Sequence, residues 1–148
     1  MTRVDIFTDG ACQGNPGPGG WAAVLVAGHH RREITGYEAA TTNNRMELMA
    51  ALEGLRNLKQ PCEVDLYTDS QYLKNGMEQW LAKWKRNGWR TAGKQPVKNA
   101  DLWEQLDDEA KRHTMRWHWV RGHDGHVENE RCDVLANEAI RRRGPVER

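Results

Sequence analysis

The stretch "VDIFTDG" at residues 4–10 is matched position by position by "VDLYTDS" at residues 64–70. Each alternates and is rich in β-formers, which predicts two strands that both end in Thr-Asp. Two strands of similar composition could match by chance, and the likeness ends outside these seven residues, which argues against a duplicated domain. If the strands lie side by side and parallel, about 4.8 Å apart, Asp9 and Asp69 meet at their carboxyl ends. Open α/β sheets build their sites at that edge.

The periodicity of the remaining sequence predicts the order βββαβααβα. Further strands are expected at residues 20–28, 32–38 and 114–120, and helices at residues 43–58, within 70–113 and around 132–140. Short turns between the first three strands predict an antiparallel meander, and helical crossovers then add parallel strands. No linker divides the chain, so we expect one domain over residues 1–148. Its fold class is α/β, with a mixed sheet flanked by helices.

The glycine-rich stretch "GACQGNPGPGG" at residues 10–20 raises the question of a phosphate-binding loop. No Lys follows the glycines, as a Walker loop requires. Pro16 and Pro18 make the helix start of a dinucleotide fingerprint improbable. The stretch is interpreted as a wide hairpin that follows a strand ending at Asp9.

The composition favours a soluble globular protein over a membrane or secreted one. Hydrophobic residues make up 38% of the chain and charged residues 29%, a balance typical of soluble globular proteins. No apolar run approaches the ~20 residues that span a membrane, and the N-terminus lacks the apolar core of a signal peptide. Three scattered cysteines predict no disulfide framework. These features predict a cytoplasmic protein with no membrane partner.

Residues 80–98, here termed the basic arm, carry cations and no acidic residue. The cations are Lys83, Lys85, Arg86, Arg90, Lys94 and Lys98, interleaved with Trp80, Trp84 and Trp89. A basic run alone is most often a solvated helix face. Mixed with tryptophans that look exposed, in a chain of net charge +1, it favours a polyanionic partner. A second cluster, Arg141 to Arg143, is interpreted as complementing a helix C-terminus.

Converging carboxylates repel one another unless a cation lies between them. Their hard oxygen ligands favour Mg²⁺ or Mn²⁺ over zinc. Glu47 and Asp133 could complete the set, although either could be an ordinary surface acid on position alone. Four carboxylates beside a basic, aromatic arm predict a metal-dependent enzyme acting on phosphodiesters.

A zinc site is the other metal hypothesis. Its candidate ligands are His118, His123, His126 and Cys132. Their spacing fits no paired zinc pattern. His118 alternates with two tryptophans and is interpreted as structural, whereas His123 lies in a glycine-containing loop where an imidazole could transfer protons.

Five motifs follow one another in order over nearly the whole chain: "FTDGACQGNPGPGG", "TTNNRMELMAAL", "YTDSQYL", "WKRNGWRT" with "PVKNADLW", and "WVRGHDGHVENERCDVLA". Together they resemble type 1 ribonuclease H of the bacterial kind. The resemblance implies the ribonuclease H fold, with a five-stranded mixed sheet. It also implies two-metal hydrolysis of the RNA strand of RNA–DNA hybrids, with Mg²⁺ or Mn²⁺, little sequence specificity, and 5′-phosphate and 3′-hydroxyl products. We expect a monomer without an obligate protein partner.

By motif position, the resemblance assigns roles to individual residues. The metal ligands fall on Asp9, Glu47, Asp69 and Asp133, and the catalytic loop histidine falls on His123. Substrate contacts fall on Gly10, Cys12, Asn15, Thr42, Asn43, Asn44, Gln71, Trp80, Lys83, Trp84, Lys85, Arg86, Arg90 and Lys98. Among these, Asn15 and Thr42 match a pocket for a DNA phosphate. Asp124 and Val127 depart from the bacterial pattern beside His123.

Two rival functions are distinguished by sequence features. A DNA-cutting nuclease of the same fold is disfavoured by "TTNNRME" and by the basic arm. A non-catalytic hybrid-binding module is expected to lack at least one carboxylate, and all four are present.

Overall fold

A computed structural model describes residues 1–121 and 126–146 of the chain. The elements are β1 (Thr2–Cys12), β2 (Gly17–Ala27), β3 (His30–Thr41), α1 (Asn43–Arg56), β4 (Cys62–Thr68), α2 (Gln71–Asn75), a π-helical turn (Gly76–Trp80), α3 (Leu81–Arg86), α4 (Ala100–Ala110), β5 (Thr114–Trp119) and α5 (Val127–Arg142). The strands form one five-stranded sheet in the order β3-β2-β1-β4-β5. The predicted mixed sheet is confirmed, since β1 to β3 pair antiparallel and β1, β4 and β5 pair parallel.

The twin stretches pair in the register that their sequences predict. Val4 lies opposite Val64, and Phe7 lies opposite Tyr67, where the ladder between β1 and β4 ends. The two rings stack at a centroid distance of 4.9 Å. A slip of one residue would turn the apolar side chains of β4 to the other face of the sheet, so burial fixes this register.

The prediction that β1 stops at Asp9 is wrong. Pairing with β4 does end before Asp9, but β1 continues beside β2 as far as the pair Cys12–Gly19. The predicted wide hairpin is therefore a loop of only residues 13–16, which contains a cis Asn15–Pro16 bond. The antiparallel partner supplies hydrogen bonds that the local Gly and Pro content does not reveal, and the strand persists.

Helix α1 packs on one face of the sheet and forms the larger part of the core. Leu48, Leu52 and Leu55 are buried against Ile6 and Leu66. The N-cap is Thr42, whose hydroxyl accepts a hydrogen bond from the backbone N–H of Arg45 at 3.2 Å. This satisfies one of the free N–H groups of the first turn and fixes where the helix begins.

Residues 71–86 form a helical run with a π-helical turn in its middle. Gly76 opens that turn beneath the fully buried ring of Trp103 on α4. A Cβ at Gly76 would come within 2.0 Å of the Trp103 ring, so only glycine permits this packing. The ring anchors the start of the basic arm to the core.

Helix α5 covers the opposite face of the sheet, where Cys132, Leu135 and Ala136 pack against Ala22 and Val24. All three cysteines of the chain are free thiols, as the sequence predicts. No helix in residues 1–121 and 126–146 is long and apolar enough to cross a membrane.

Candidate active site

Three carboxylates from three elements meet at the carboxyl ends of β1 and β4. Asp9 comes from β1, Glu47 from α1, and Asp69 from the residue after β4. One oxygen from each lies within 4.8 Å of the other two. Asp69 is held from β5, because the indole N–H of Trp119 donates to its backbone carbonyl at 3.1 Å. These three side chains are the carboxylate cluster.

Gly10 explains how Glu47 reaches the two aspartates. A Cβ at Gly10 would lie 2.5 Å from the backbone N of Glu47 and from the carbonyl carbon of Met46. Glycine therefore lets α1 approach β1 closely enough to point Glu47 into the cluster. Gly10, which the sequence comparison assigned to substrate, has this packing role in the structure.

The cluster is electrostatically unfavourable as it stands. Asp9 is 7% exposed and Glu47 is 5% exposed. Burial, followed by the charges of Asp69 and Asp133, raises the pKa of Asp9 to about 8. Burial, followed by the charges of Asp9 and Asp69, raises the pKa of Glu47 well above its usual value. Like charges held out of water in this way call for a cation.

The residues present fit a divalent metal ion. Oε1 of Glu47 is buried and hydrogen-bonds no described residue. Asp69, on the rim, is only partly buried and leaves the cluster accessible from solvent. An all-carboxylate donor set is that of Mg²⁺, Mn²⁺ or Ca²⁺ and not of a structural zinc site.

Asp133 does not join the three-carboxylate group. It lies on α5, partly buried, and accepts a hydrogen bond from the side-chain amide of Asn137 at 3.3 Å. Its charge nevertheless contributes to the raised pKa of Asp9, so it borders the cluster. Helix α5, which carries Asp133, packs on the opposite face of the sheet to α1, which carries Glu47.

Comparison with known proteins identifies this arrangement. The sequence pattern described as RNase H matches residues 1–141. The chain is 61% identical over 140 residues to the Ribonuclease H of Cupriavidus metallidurans, covering 95% of this chain and 97% of the relative. The chain belongs to the RNase H family. Members of this family are metal-dependent nucleases, which agrees with a buried carboxylate cluster.

Solved structures of the family agree with the fold. LC9-RNase H1, described as a type 1 RNase H with the type 2 active-site motif, superposes with a TM-score of 0.88 at 32% identity, over 100% of this chain and 78% of that one. LC11-RNase H1, solved in complex with an RNA/DNA hybrid, superposes with a TM-score of 0.70 at 22% identity, over 95% of this chain and 98% of that one. The second likeness shows the fold alone.

Several residues that the RNase H resemblance assigned to substrate surround the start of α1. The side-chain oxygen of Asn15 accepts a hydrogen bond from the backbone N–H of Asn43 at 3.0 Å. The Cys12 sulfur lies 2.9 Å from the carbonyl oxygen of Gly14, to which its S–H can donate, and within 3.5 Å of that of Thr41. Asn43 and Asn44 are exposed in the first turn of α1, and Gln71 is exposed at the start of α2. The hairpin loop is thus tied to the positive end of α1.

The basic arm presents its cations to solvent. Exposed side chains along it are Lys83, Lys85, Arg86, Arg90, Lys94 and Lys98. The expectation that its tryptophans are exposed is wrong. Trp80, Trp84 and Trp89 are partly buried, and Trp84 packs both on Trp80 at 5.8 Å and on Trp103 at 5.4 Å. These rings stiffen the arm from inside.

Sequence reasoning missed the side chains that hold the basic arm and the first turn of α1 in place. Asp107 on α4 is buried and pairs with Lys85 at 3.2 Å and with Lys111 at 3.0 Å. Arg45 on α1 donates to Asn99 and forms an ion pair with Asp101. The i, i+4 spacing of Asp107 and Lys111 is a sequence signal for their ion pair. No local pattern predicts the contacts of Arg45 with Asn99 and Asp101.

The histidines follow the predictions where the structure describes them. His118 lies 2.7 Å from the carboxylate of Asp65 and stacks on Tyr67 at 4.7 Å, consistent with a structural role. Among the described residues, no histidine or cysteine belongs to a potential metal-binding group, so His118, His126 and Cys132 do not form a zinc site with one another. His123, with its neighbour Asp124, lies outside the described residues.

Proposed function

We propose that this chain is an endonuclease that hydrolyses the RNA strand of RNA–DNA hybrids with the help of two divalent ions, leaving 5′-phosphate and 3′-hydroxyl ends. The observation that carries the proposal is the carboxylate cluster, with three oxygens mutually within 4.8 Å at the edge where β1 and β4 end. Family membership and about 60% identity to enzymes named Ribonuclease H support the same activity.

The proposed ligands are Asp9, Glu47 and Asp69, with Asp133 completing the set from α5. Mg²⁺ is the proposed ion, and Mn²⁺ a substitute, because both take carboxylate oxygens. When bound, the ions supply water activation at neutral pH and charge stabilisation at the leaving 3′-oxygen. The protein's part is to fix the oxygens, with Glu47 held by the close packing of α1 on Gly10.

Recognition of the hybrid is proposed to rely on its minor groove and backbone. Asn43, Asn44 and Gln71 are exposed amides at two helix starts, and an amide can both donate to and accept from a 2′-hydroxyl. Asn15 and Thr42 lie at the positive end of α1, which favours a phosphate of the DNA strand. Contacts of this kind carry no base code, so little sequence specificity is expected.

The basic arm is the proposed contact for the DNA strand. Its cations release counterions from phosphates on binding, and its partly buried tryptophans Trp80 and Trp84 hold the helix that carries them. His123 is the proposed proton-transfer residue, on sequence grounds alone. We further propose that residues 1–148 act as one domain and as a monomer.

One assay tests the proposed function. RNA–DNA, RNA–RNA, DNA–DNA and single-stranded RNA substrates, each labelled at the 5′ end, are incubated with Mg²⁺ or with EDTA. Cleavage of the hybrid alone, in its RNA strand and with Mg²⁺ alone, is the expected result. Product ends are read by phosphatase and ligase treatment.

The rival functions predict different results in the same assay. Cleavage of DNA–DNA would indicate a DNA nuclease of the same fold. Binding of the hybrid in a gel shift without cleavage in Mg²⁺ or Mn²⁺ would indicate a binding module. Either result contradicts the proposal.

A further inference from the structure

A groove of about 340 Å³ opens at the same end of the sheet as the carboxylate cluster, but on the α5 side. It is lined by Gln13, Pro18, Tyr37, Ala39, Ile140, Arg141 and Arg143. Gln13 follows β1 four residues after Asp9, so about 13 Å of extended chain separates the two. The basic arm lies on the opposite side of the sheet, with α1 and α4. The cluster is therefore flanked by cationic features on both faces.

The arginines at the end of α5 exceed what the helix terminus requires. Two of the last four carbonyls are satisfied by the backbone, since the N–H groups of Arg143 and Gly144 donate to Ile140 and Ala139 at 3.2 Å each. Arg141 and Arg142 both pair with Glu138, which leaves a net positive charge. The sequence interpretation as a helix-dipole complement therefore explains only part of this cluster.

Arg143 occupies a backbone conformation that favours glycine. Its φ is 54° and its ψ is 42°, in the left-handed region. Arginine holds this position, and the glycine, Gly144, comes one residue later. An arginine bears a steric penalty there that glycine does not. Its guanidinium is exposed and forms no ion pair with any carboxylate in the described part of the chain. As far as residues 1–121 and 126–146 are concerned, the side chain is available to a ligand in the groove that it lines.

We propose that this groove binds the sugar–phosphate backbone of the hybrid outside the cleavage site. The inference rests on the proposed function. Arg141 and Arg143 supply guanidinium groups, which bind phosphate in bidentate geometry. Gln13 and Tyr37 supply side chains that both donate and accept, which suits a 2′-hydroxyl or a phosphate oxygen. With phosphates spaced 3.4 Å apart along each strand's axis, about 13 Å corresponds to about four base pairs. A longer duplex would therefore reach both the cluster and the groove.

The test compares hybrid lengths in variants of the groove. Arg141→Ala/Arg143→Ala is assayed on a hybrid of about five base pairs, which leaves fewer than about four base pairs on either side of a central cleavage site, and on one of about 24. Each hybrid carries a single cleavable RNA segment at its centre. The double variant should raise KM for the long hybrid several-fold, leave kcat unchanged, and lower the salt slope by about 1 per arginine. The short hybrid should show little change. Arg32→Ala is the matched control, an exposed arginine at the far end of β3.

A second variant separates binding from folding. Arg143→Gly removes the guanidinium and relieves the left-handed strain, so it should fold at least as stably as the wild type and still raise KM for the long hybrid. Wild-type KM and salt slope in both groove variants would overturn the proposal, as would an equal loss on both hybrid lengths. If the wild type fails to cleave hybrid at all, the proposed function fails, whereas loss of the length effect alone rejects only the groove.

Discussion

The carboxylate cluster gathers like charges out of water, whereas the basic arm spreads like charges into it. Asp9 and Glu47 are nearly inaccessible, and the pKa of each is raised, first by its own burial and then by the charges of neighbouring carboxylates. The cations of the arm are exposed; Lys85 pairs with the buried Asp107, and Arg90 donates to the backbone carbonyl of Lys94. The cost of gathering charge is high in the first region and small in the second. The first is therefore suited to a tightly held ion, and the second to a long, exchangeable polyanion.

The difference also appears in how each region is built. The cluster is fixed by strand register and by a helix packed against glycine, so its oxygens cannot move without disturbing the core. The arm is anchored by aromatic packing at Trp84 and by the ion pair of Lys85 with Asp107. Chemistry needs positions accurate to a fraction of an ångström, whereas binding of a backbone tolerates side chains that adjust.

The largest effect is expected for Asp9→Asn, which tests whether the carboxylate cluster holds the catalytic metal ions. An amide cannot replace an anionic ligand, and metal-ion catalysis contributes several kcal/mol, so kcat should fall by about 10³-fold or more. The control is Asp5→Asn on the same strand, which lies outside the cluster and should retain activity. Rates in Mg²⁺ and circular dichroism are measured for both variants. Asp9→Asn retaining more than a few per cent of wild-type activity would contradict the assignment.

His123→Ala tests a residue that should belong to neither region. General acid–base help is typically worth about 10²–10⁴-fold, and a role in gating would give less. We expect kcat to fall by about 10²-fold with little change in KM, because the carboxylates and their ion are retained. The Mg²⁺ concentration for half-activity is measured beside kcat. A large increase in that concentration would mean that His123 is a metal ligand instead.

Replacing Lys83, Lys85, Arg86 and Arg90 together with Ala tests whether the basic arm binds the hybrid. KM should rise about tenfold or more at 0.1 M salt with kcat nearly unchanged, and the salt slope of binding should flatten by up to about 4. Removing the exposed cations Arg32 and Lys59, at the opposite end of the sheet, is the control. An unchanged salt slope in the quadruple variant would remove the arm from the binding surface.

The smallest expected effect is on the pH dependence of stability without metal. The pKa of Asp9 is raised from 3.8 to about 8 on folding, so the folded protein binds this proton more tightly than the unfolded chain does. That contribution to stability is complete below pH 3.8 and is lost as the pH rises through about 8. The free energy of unfolding in EDTA should therefore decrease from about pH 4 to about pH 8 and level off above that, as measured by urea titrations at each pH.

Two comparisons check the origin of that decrease. Asp9→Asn should flatten the curve and unfold at a higher temperature than the wild type at pH 9, because one of the crowded charges is gone. Saturating Mg²⁺ should also flatten it, since a bound cation favours the ionised carboxylates. The wild-type slope persisting in Asp9→Asn would assign it to other groups.

The parts of the fold that could be predicted are those signalled by patterns within a single strand or helix. The matching strands gave the β1–β4 pairing because their register follows from alternation and burial. The periodicity that predicted a helix from residue 43 also placed Glu47 in its early part, where the structure has it. By contrast, the continuation of β1 to Cys12 depends on β2, and the burial of Trp84 depends on Trp103, nineteen residues later. Such contacts between distant segments leave no local signal.

The π-helical turn at Gly76–Trp80 amounts to a single residue inserted into a helix between the core and the basic arm. Each residue of an α-helix corresponds to a rotation of about 100°. Deleting one residue within this turn would restore regular helix and rotate α3 by about that angle, at the cost of the Trp84–Trp103 and Lys85–Asp107 contacts, while Asp9, Glu47 and Asp69 stayed where they are. Inserting or deleting one residue at this position would thus change the direction in which the cations of α3 point, independently of the carboxylate cluster. Duplex geometry could be accommodated there by insertion and deletion, without any change in the chemistry.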